Sequence, residues 1–248
     1  TATFQRIVLA SRPAAHVTPD NFRLETVPVP QPADGEVLVR VHYLSLDPYM
    51  RGRMIDSRSS YAVAQKLDET MIGGTVGVVE VSRNPKFAVG DTVLGTFGWQ
   101  EYGISDGRGL MKVDTREIPM SAYLGPVGMP GVTAWYGLNH ICVPKAGETV
   151  LVSAASGAVG SVVGHLAKAA GCRAVGIAGG PDKCQYVTSE LGFDACIDHR
   201  QHTDVQSMAR AIRAAAPKGV DGLFENVGGV CLDGALACMN PFGRIAVC

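Results

Sequence analysis

The chain has 248 residues, of which 46% are hydrophobic and 18% charged, and its formal net charge is −1. This length allows one large domain or two ordinary ones, and the near-neutral charge lacks the basic excess that nucleic acids and acidic membranes select. No apolar run approaches the ~20 residues of a membrane-spanning helix. The composition therefore argues against a nucleic-acid or membrane partner and predicts a cytoplasmic globular protein.

The seven cysteines form neither a disulfide framework nor a zinc-binding pattern. None of them lies before Cys142, and no two have the spacing Cys-X-X-Cys. Structural zinc sites use closely spaced Cys and His ligands, and disulfide-rich domains are small and secreted. The distribution therefore predicts free thiols in a reducing compartment and no metal site.

The first half of the chain, residues 1–120, predicts a β-rich domain with a barrel-like form. Short apolar runs alternate there with turn signals, and Val37, Val39 and Val41 recur at the period of two that is typical of a half-buried strand. The predicted strands are QRIVLA, NFRLETVPVP, GEVLVRVHYLSL, GGTVGVVEV, VGDTVLGTF and LMKVD.

In the second half, residues 121–248, apolar strands alternate with helical segments. The strands are TVLVSA, RAVGIA, ACID, GVDGLFEN and GRIAVC, and the helices between them are GAVGSVVGHLAKAAG, PDKCQYVTSELG, TDVQSMARAIRAAA and VCLDGALACMN. Continuous apolar strands joined by helices indicate a parallel sheet covered on both faces. This half is predicted to be a doubly wound nucleotide-binding domain.

The turn after the first of these strands carries a variant of the GxGxxG motif. Ala155, Gly157 and Gly160 occupy the three glycine positions, and Ala158 and Val159 open the helix between the last two. Gly157 would let the backbone approach a pyrophosphate, and Gly160 would permit close packing of helix on strand, while the first N–H groups of the helix would face the phosphates. The alternative is a tight turn whose small residues serve packing alone.

The end of the second strand indicates which dinucleotide is bound. NAD enzymes place a carboxylate there to bind the ribose hydroxyls, ~20 residues beyond the glycines. This chain has Gly180 at that position, whereas Lys183 in the next helix offers an ammonium to a 2′-phosphate. Asp182 follows Pro181 and is better interpreted as a helix N-terminal residue. NADP is therefore favoured over NAD, the alternative being that Lys183 is a solvated surface residue.

Several segments together are similar to a known family. DPYMRGRM, LGPVGMPGVTAWYGL, the glycine turn, LGFDACIDHR and FENVGG resemble the zinc-independent medium-chain dehydrogenase/reductases of the alkenal/one oxidoreductase subgroup, which includes prostaglandin and curcumin reductases. The resemblance implies an α/β protein with a GroES-like β-barrel domain, a doubly wound Rossmann domain and a homodimeric state. It also implies a sixth strand and a return to the barrel after GRIAVC, which we expect this chain to lack.

The sequence of the first half is consistent with the zinc-free subgroup. A zinc enzyme of this superfamily needs a cysteine and a histidine in the barrel. Here the first half has no cysteine, its only histidines are His16 and His42, and Gly73-Gly74-Thr75 stands where the zinc enzymes have Gly-His-Glu. Oxidation of simple alcohols, which needs a Lewis acid, is therefore not expected.

The resemblance implies hydride transfer from NADPH to the β-carbon of an α,β-unsaturated aldehyde or ketone. Negative charge then builds on the carbonyl oxygen, and Tyr49 is the predicted donor to it, because a phenol with a pKa near ~10 is neutral at pH 7. Tyr49 could instead pack beside the Asp47-Pro48 turn. Two other functions stay open: an NADPH-dependent quinone reductase and a non-catalytic NADPH-binding protein.

Three further residues are assigned by matching segments. Met129 in VGMPG and Asn226 in FENVGG are predicted to line the nicotinamide site. His199 in IDHR stands where relatives have a tyrosine near the adenosine phosphate. Asn226 could instead cap a loop, and His199 could be a solvated loop residue.

Overall fold

The computed structural model describes residues 2–56 and 63–248, which form two compact units, residues 1–124 and 125–248. No helix in these ranges is long and apolar enough to cross a membrane.

The first unit is built mainly of antiparallel strands. Strand β1 (Thr3–Leu9) pairs with β2 (Phe22–Pro28), and the five other strands form one sheet in the order β6-β3-β4-β5-β7. Their bounds are β3 Val37–Leu44, β4 Thr75–Ser82, β5 Thr92–Gly95, β6 Tyr102–Ser105 and β7 Met111–Lys112, and the short helix α1 spans Tyr49–Arg53. Strand β6 was not predicted, because its four residues include a glycine and give a weak strand signal.

Strand β3 shows how the predicted alternation works in the first unit. Val37 and Val39 are fully buried in a cluster that also includes Val79 and Val93. Leu38, which points to the opposite face, is also only 3% exposed. The first residues of this strand are thus buried on both faces rather than one, and the strand has partners on both edges, β4 and β6.

The second unit is a doubly wound α/β domain, as predicted. Its parallel strands lie in the order β10-β9-β8-β11-β12. The strand bounds are β8 Thr149–Ser153, β9 Arg173–Ala178, β10 Ala195–Asp198, β11 Val220–Glu225 and β12 Met239–Val247. The helices are α2 Met129–Tyr136, which continues as a π-helical turn over Gly137–Cys142, then α3 Ala158–Ala169, α4 Pro181–Ser189, α5 Val205–Ala215 and α6 Gly229–Leu236.

Helices cover both faces of this sheet, which explains why its strands are apolar throughout. In β8, Val150 and Val152 belong to the core cluster that includes Val163 of α3, while Leu151 belongs to the opposite cluster with Ile212 of α5. The strand order reverses between β8 and β11. Ligands of doubly wound sheets bind at the carboxyl ends of the strands at such a reversal, and the candidate residues of the second unit follow these strands.

Candidate functional site

The turn after β8 accommodates an alanine at the first position of the glycine motif. Ala155 is fully buried, and its backbone N donates a hydrogen bond to the carbonyl of Ile177, 3.0 Å away. Its methyl group lies 2.7 Å from the point where a side chain on Gly176 would begin. Because Gly176 in β9 has no side chain, the methyl group of Ala155 fits beside it, and position 155 does not need to be glycine.

Gly157 and Gly160 have different roles in the same turn. A Cβ atom at Gly160 would lie 2.3 Å from the carbonyl oxygen of Ala154, so α3 can approach the end of β8 only with glycine there. Gly157 precedes α3 as its N-cap residue, and a Cβ atom there would lie 3.1 Å from the same oxygen. The tight constraint on packing is thus at Gly160, while Gly157 keeps the exposed side of the turn open.

The first turn of α3 presents N–H groups that can bind an anion. Its first helical hydrogen bond runs from Ser161 N to the carbonyl of Gly157, at 3.0 Å. The N–H groups of Ala158, Val159 and Gly160 lie before the first helical hydrogen bond, at the positive end of the helix dipole. Together with the open side of Gly157, they form a cradle suited to a pyrophosphate.

Gly180, at the end of β9, is held by a carboxylate that follows the next strand. Its φ is +103°, which favours glycine, and its N–H donates to Asp198 Oδ1 at 2.8 Å. The same oxygen accepts a hydrogen bond from Arg200 N at 3.1 Å. The Gly180 N–H is the largest cause that lowers the pKa of Asp198. This carboxylate, which sequence reasoning did not identify, supports the loop through backbone bonds.

Two side chains from the segment after β10 lie over the Gly179-Gly180 loop. His199 Nε2 is 2.9 Å from the Cβ position of Gly179, and Arg200 Nη1 is 3.2 Å from that of Gly180. Lys183 is exposed in the first turn of α4, three residues beyond Gly180. The structure therefore groups His199 with Gly180 and adds Arg200, which the sequence analysis missed although it is the next residue in IDHR.

Asn226 is fixed at the carboxyl end of β11 by bonds to β8. Its backbone N donates to Ser153 Oγ at 2.7 Å, and its Nδ2 donates to the Ser153 carbonyl at 2.8 Å. With the backbone N–H and one N–H of Nδ2 directed at Ser153, Asn226 can offer a ligand its amide oxygen Oδ1 and the second N–H of Nδ2. The side chain is thus oriented at the strand reversal, and its assignment to the nicotinamide site stays a prediction.

Glu225 supports this loop from inside the protein, and sequence reasoning missed it. It is 3% exposed, and its Oε1 accepts hydrogen bonds from Ser153 Oγ at 3.1 Å, Val227 N at 2.5 Å and Gly228 N at 2.6 Å. Its Oε2 is buried without a hydrogen-bond partner among residues 2–56 and 63–248. A glutamate that ends an apolar strand, as in GLFE, was the available signal, since a buried acid is rare without donors around it.

Met129 is the first residue of α2, and the residue is 55% exposed. Its carbonyl accepts a hydrogen bond from Thr133 Oγ1 at 2.9 Å, within the helix. Its assignment to the nicotinamide site stays a prediction.

Tyr49 belongs to the first unit, where it begins α1. Its half-buried ring packs against the cluster formed by Leu9, Met50, Met54 and Met71. The Arg53 guanidinium carbon lies 5.6 Å from the ring centroid, a cation–π distance. The preceding turn is closed by Met50 N, which donates to the carbonyl of Asp47 at 3.1 Å. Packing fixes the ring beside this turn, and the catalytic role of Tyr49 stays a prediction.

Comparisons with known proteins agree with this architecture. Residues 5–113 match the family described as the N-terminal domain of oxidoreductase, and residues 158–248 match the zinc-binding dehydrogenase family. The NADPH-dependent curcumin reductase of Escherichia coli (strain K12) is 49% identical over 98% of this chain and 69% of its own length. The chain belongs to the medium-chain dehydrogenase/reductase family. This confirms the family predicted from the sequence.

Two other proteins place the chain more narrowly within the family. Prostaglandin reductase 1 of Rattus norvegicus is 44% identical over 93% of this chain and 68% of its own length. The crystal structure of CurA in complex with NADPH from Vibrio vulnificus is 49% identical, with a TM-score of 0.89, and the match covers 97% of this chain and 70% of that one. The chain thus falls in the group of curcumin and prostaglandin reductases.

The second family description mentions zinc, but the residues of this chain do not fit a zinc site. No group of three or more His, Cys, Asp or Glu side chains in the described ranges could hold a metal ion. The first unit contains no cysteine, and both of its histidines, His16 and His42, are exposed. We therefore derive no step through zinc.

Proposed function

We propose that this chain is an NADPH-dependent reductase that acts on the carbon–carbon double bond of α,β-unsaturated aldehydes and ketones. The observation that carries the proposal is the cradle formed by Gly157, Gly160 and the first N–H groups of α3, in a chain 49% identical to an NADPH-dependent curcumin reductase. Its cytoplasmic location and homodimeric state stay predictions.

The cofactor would be held at three places along the carboxyl ends of the strands. The N–H groups of Ala158 to Gly160 bind the pyrophosphate, and the cations of Lys183 and Arg200 bind the 2′-phosphate beside Gly180. His199 lies over Gly179 and covers the same loop. At the other end, Asn226 Oδ1 accepts a hydrogen bond from the nicotinamide carboxamide. These contacts favour NADPH over NADH, because only the former carries the 2′-phosphate.

When bound, the nicotinamide supplies the hydride that reduces the β-carbon of the substrate. In the proposed reaction the Tyr49 hydroxyl donates a hydrogen bond to the carbonyl oxygen, where negative charge accumulates. This donor stabilises the charge without a metal, and a proton then adds to the α-carbon to give the saturated carbonyl compound. Glu225 and Ser153 do not contact the cofactor in this proposal, but their hydrogen bonds hold Asn226 in place.

The test follows NADPH absorbance with the 248-residue chain and three substrates in parallel: a 2-alkenal, curcumin and a simple quinone. NADPH carrying deuterium at the transferred position is used to locate the label in the product. We expect consumption with the alkenal or curcumin, a saturated carbonyl product, and deuterium on the β-carbon. NADH at the same concentration is the control for cofactor choice.

Two other outcomes would each replace the proposal with a different function. Oxidation of NADPH with the quinone alone would identify a quinone reductase. Tight NADPH binding without oxidation by any of the three substrates would identify a non-catalytic NADPH-binding protein.

A further inference from the structure

The sulfur atoms of Cys184 and Cys196 lie unusually close together. Cys184 is in α4 and Cys196 is in β10, and their Sγ atoms are 2.7 Å apart. A disulfide bond has an S–S length of ~2.05 Å, so the two sulfurs need to approach by only about 0.7 Å to bond. Both side chains are half-buried, and β10 is an edge strand of its sheet, with β9 as its neighbour. Small oxidants can therefore reach the pair.

The other cysteines differ in their surroundings. The thiols of Cys142, Cys172 and Cys238 are buried and donate hydrogen bonds to backbone carbonyls, at 3.5, 3.3 and 3.4 Å respectively. The Cys196 thiol lies 4.0 Å from the Ile197 carbonyl oxygen and, unlike these three, only 2.7 Å from another sulfur, that of Cys184. The pair is also not part of a metal-holding group of three or more ligands within the described ranges. Its geometry favours bond formation between the two sulfurs.

We propose that Cys184 and Cys196 form a reversible oxidation site, a dithiol that a two-electron oxidant such as hydrogen peroxide closes to an intramolecular disulfide. The Cys184 thiolate attacks one peroxide oxygen, which gives a sulfenic acid and releases hydroxide, and the proton from its thiol converts this hydroxide to water. The Cys196 sulfur then attacks Sγ of Cys184. The S–S bond forms as the S–O bond breaks, and the Cys196 proton leaves with the hydroxyl group as a second water.

The environment of the Cys196 thiol favours it as the resolving cysteine. Burial, the Cys184 sulfur and the Asp198 carboxylate raise the pKa of the Cys196 thiol. Cys196 is therefore protonated at neutral pH and reacts slowly with peroxide, because the thiolate is the nucleophile. In the proposed order Cys184 is the attacking cysteine, and Cys196 resolves the sulfenic acid from its position in contact. The bond joins α4, which follows the Gly180 loop, to β10, whose carboxyl end leads to the residues that lie over that loop.

The chain offers a direct way to detect the bond. Trypsin cleaves after Lys183 and Arg200, and no Lys or Arg lies between them, so one peptide, residues 184–200, contains both cysteines. The experiment treats the whole chain with hydrogen peroxide in the absence of NADPH and substrate, alkylates the remaining thiols under denaturing conditions, and maps the peptides by mass spectrometry. We expect this peptide to escape alkylation and to be lighter by two hydrogens than the reduced peptide, and dithiothreitol to restore both alkylation sites.

Titration of thiols in the denatured protein gives a second measurement. Two of the seven thiols should be lost on oxidation, leaving five. Cys184→Ser and Cys196→Ser should each abolish the bridged peptide, whereas Cys248→Ser, which changes an exposed cysteine, should leave it unchanged. Alkylation of both cysteines in the oxidised wild-type protein would overturn the proposal, as would a sulfinic acid at Cys184 that dithiothreitol does not reverse. These measurements do not depend on reductase activity, so they can fail or succeed separately from the proposed function.

Discussion

Asn226 and Ser153 are joined by two hydrogen bonds, one to the Ser153 hydroxyl at 2.7 Å and one to its carbonyl at 2.8 Å. The bonds link the ends of β11 and β8, the two strands between which the sheet order reverses. The Ser153 hydroxyl also donates to Glu225 Oε1 at 3.1 Å. A single buried serine therefore connects the loop that carries Asn226 to the strand that precedes the phosphate cradle.

The first prediction concerns this serine. Ser153→Ala removes the acceptor for Asn226 N and one donor to Glu225 Oε1, both in a buried setting, so we expect the free energy of unfolding to fall by about 1–3 kcal/mol. NADPH affinity should also fall, because Asn226 loses part of its support. Urea unfolding and NADPH titration measure the two effects. Ser189→Ala, at an exposed position, is the control, and an unchanged unfolding midpoint for Ser153→Ala would refute the bridging role.

The second prediction separates the two glycines of the cradle. In Gly160→Ala the new methyl would lie 2.3 Å from the Ala154 oxygen, so α3 must move, and we expect a clear loss of stability. In Gly157→Ala the contact with the same oxygen is 3.1 Å, and the φ of −79° suits any residue. That variant should therefore unfold close to the wild-type midpoint and yet bind NADPH more weakly, since its methyl group occupies the exposed side of the turn. Equal effects of both substitutions on stability and binding would contradict this division.

Most of the doubly wound unit could be predicted from the sequence, because its strands are apolar and most strand-helix boundaries have a clear signal. The last boundary was wrong, since Met239 and Asn240 were assigned to the helix VCLDGALACMN but begin β12. Contacts between segments that are far apart in the chain could not be predicted from the sequence. The alanine at position 155 looked like a departure from the motif, and only its packing against Gly176 shows why it fits. Arg200 and Glu225 were missed for the same reason. Arg200 lies over Gly180, and Glu225 supports the loop of Asn226, because of the register in which neighbouring strands pair.

The third prediction tests the candidate phosphate cations. Lys183→Ala and Arg200→Ala should each weaken NADPH binding about tenfold or more while changing NADH binding little, because each variant loses a charged contact to the 2′-phosphate. The dissociation constants for both cofactors, measured at low and high salt, give the comparison, and the difference between cofactors should shrink at high salt.

Lys168→Ala is the matched control for these variants. Lys168 is a cation in the last turn of α3 that pairs with Asp194, away from the Gly180 loop. It should leave the ratio of NADPH to NADH affinity unchanged. If Lys183→Ala and Arg200→Ala weaken both cofactors equally, the 2′-phosphate is not their ligand.

The fourth prediction concerns the proposed donor to the carbonyl oxygen. Tyr49→Phe keeps the ring that packs against Met50 and Met71 and that lies 5.6 Å from the Arg53 guanidinium carbon, so these ring contacts should be preserved. Loss of the hydroxyl removes one donor to the developing oxyanion, which lowers turnover by about 10²-fold. NADPH affinity should not change. Steady-state rates with a 2-alkenal and NADPH titration check the two statements.

Tyr102→Phe is the control for this variant. It removes a phenol from the same unit, one that contacts Glu80 at 3.5 Å, and should have wild-type turnover. If Tyr49→Phe also turns over within about twofold of wild type, the charge on the carbonyl oxygen is stabilised by another group.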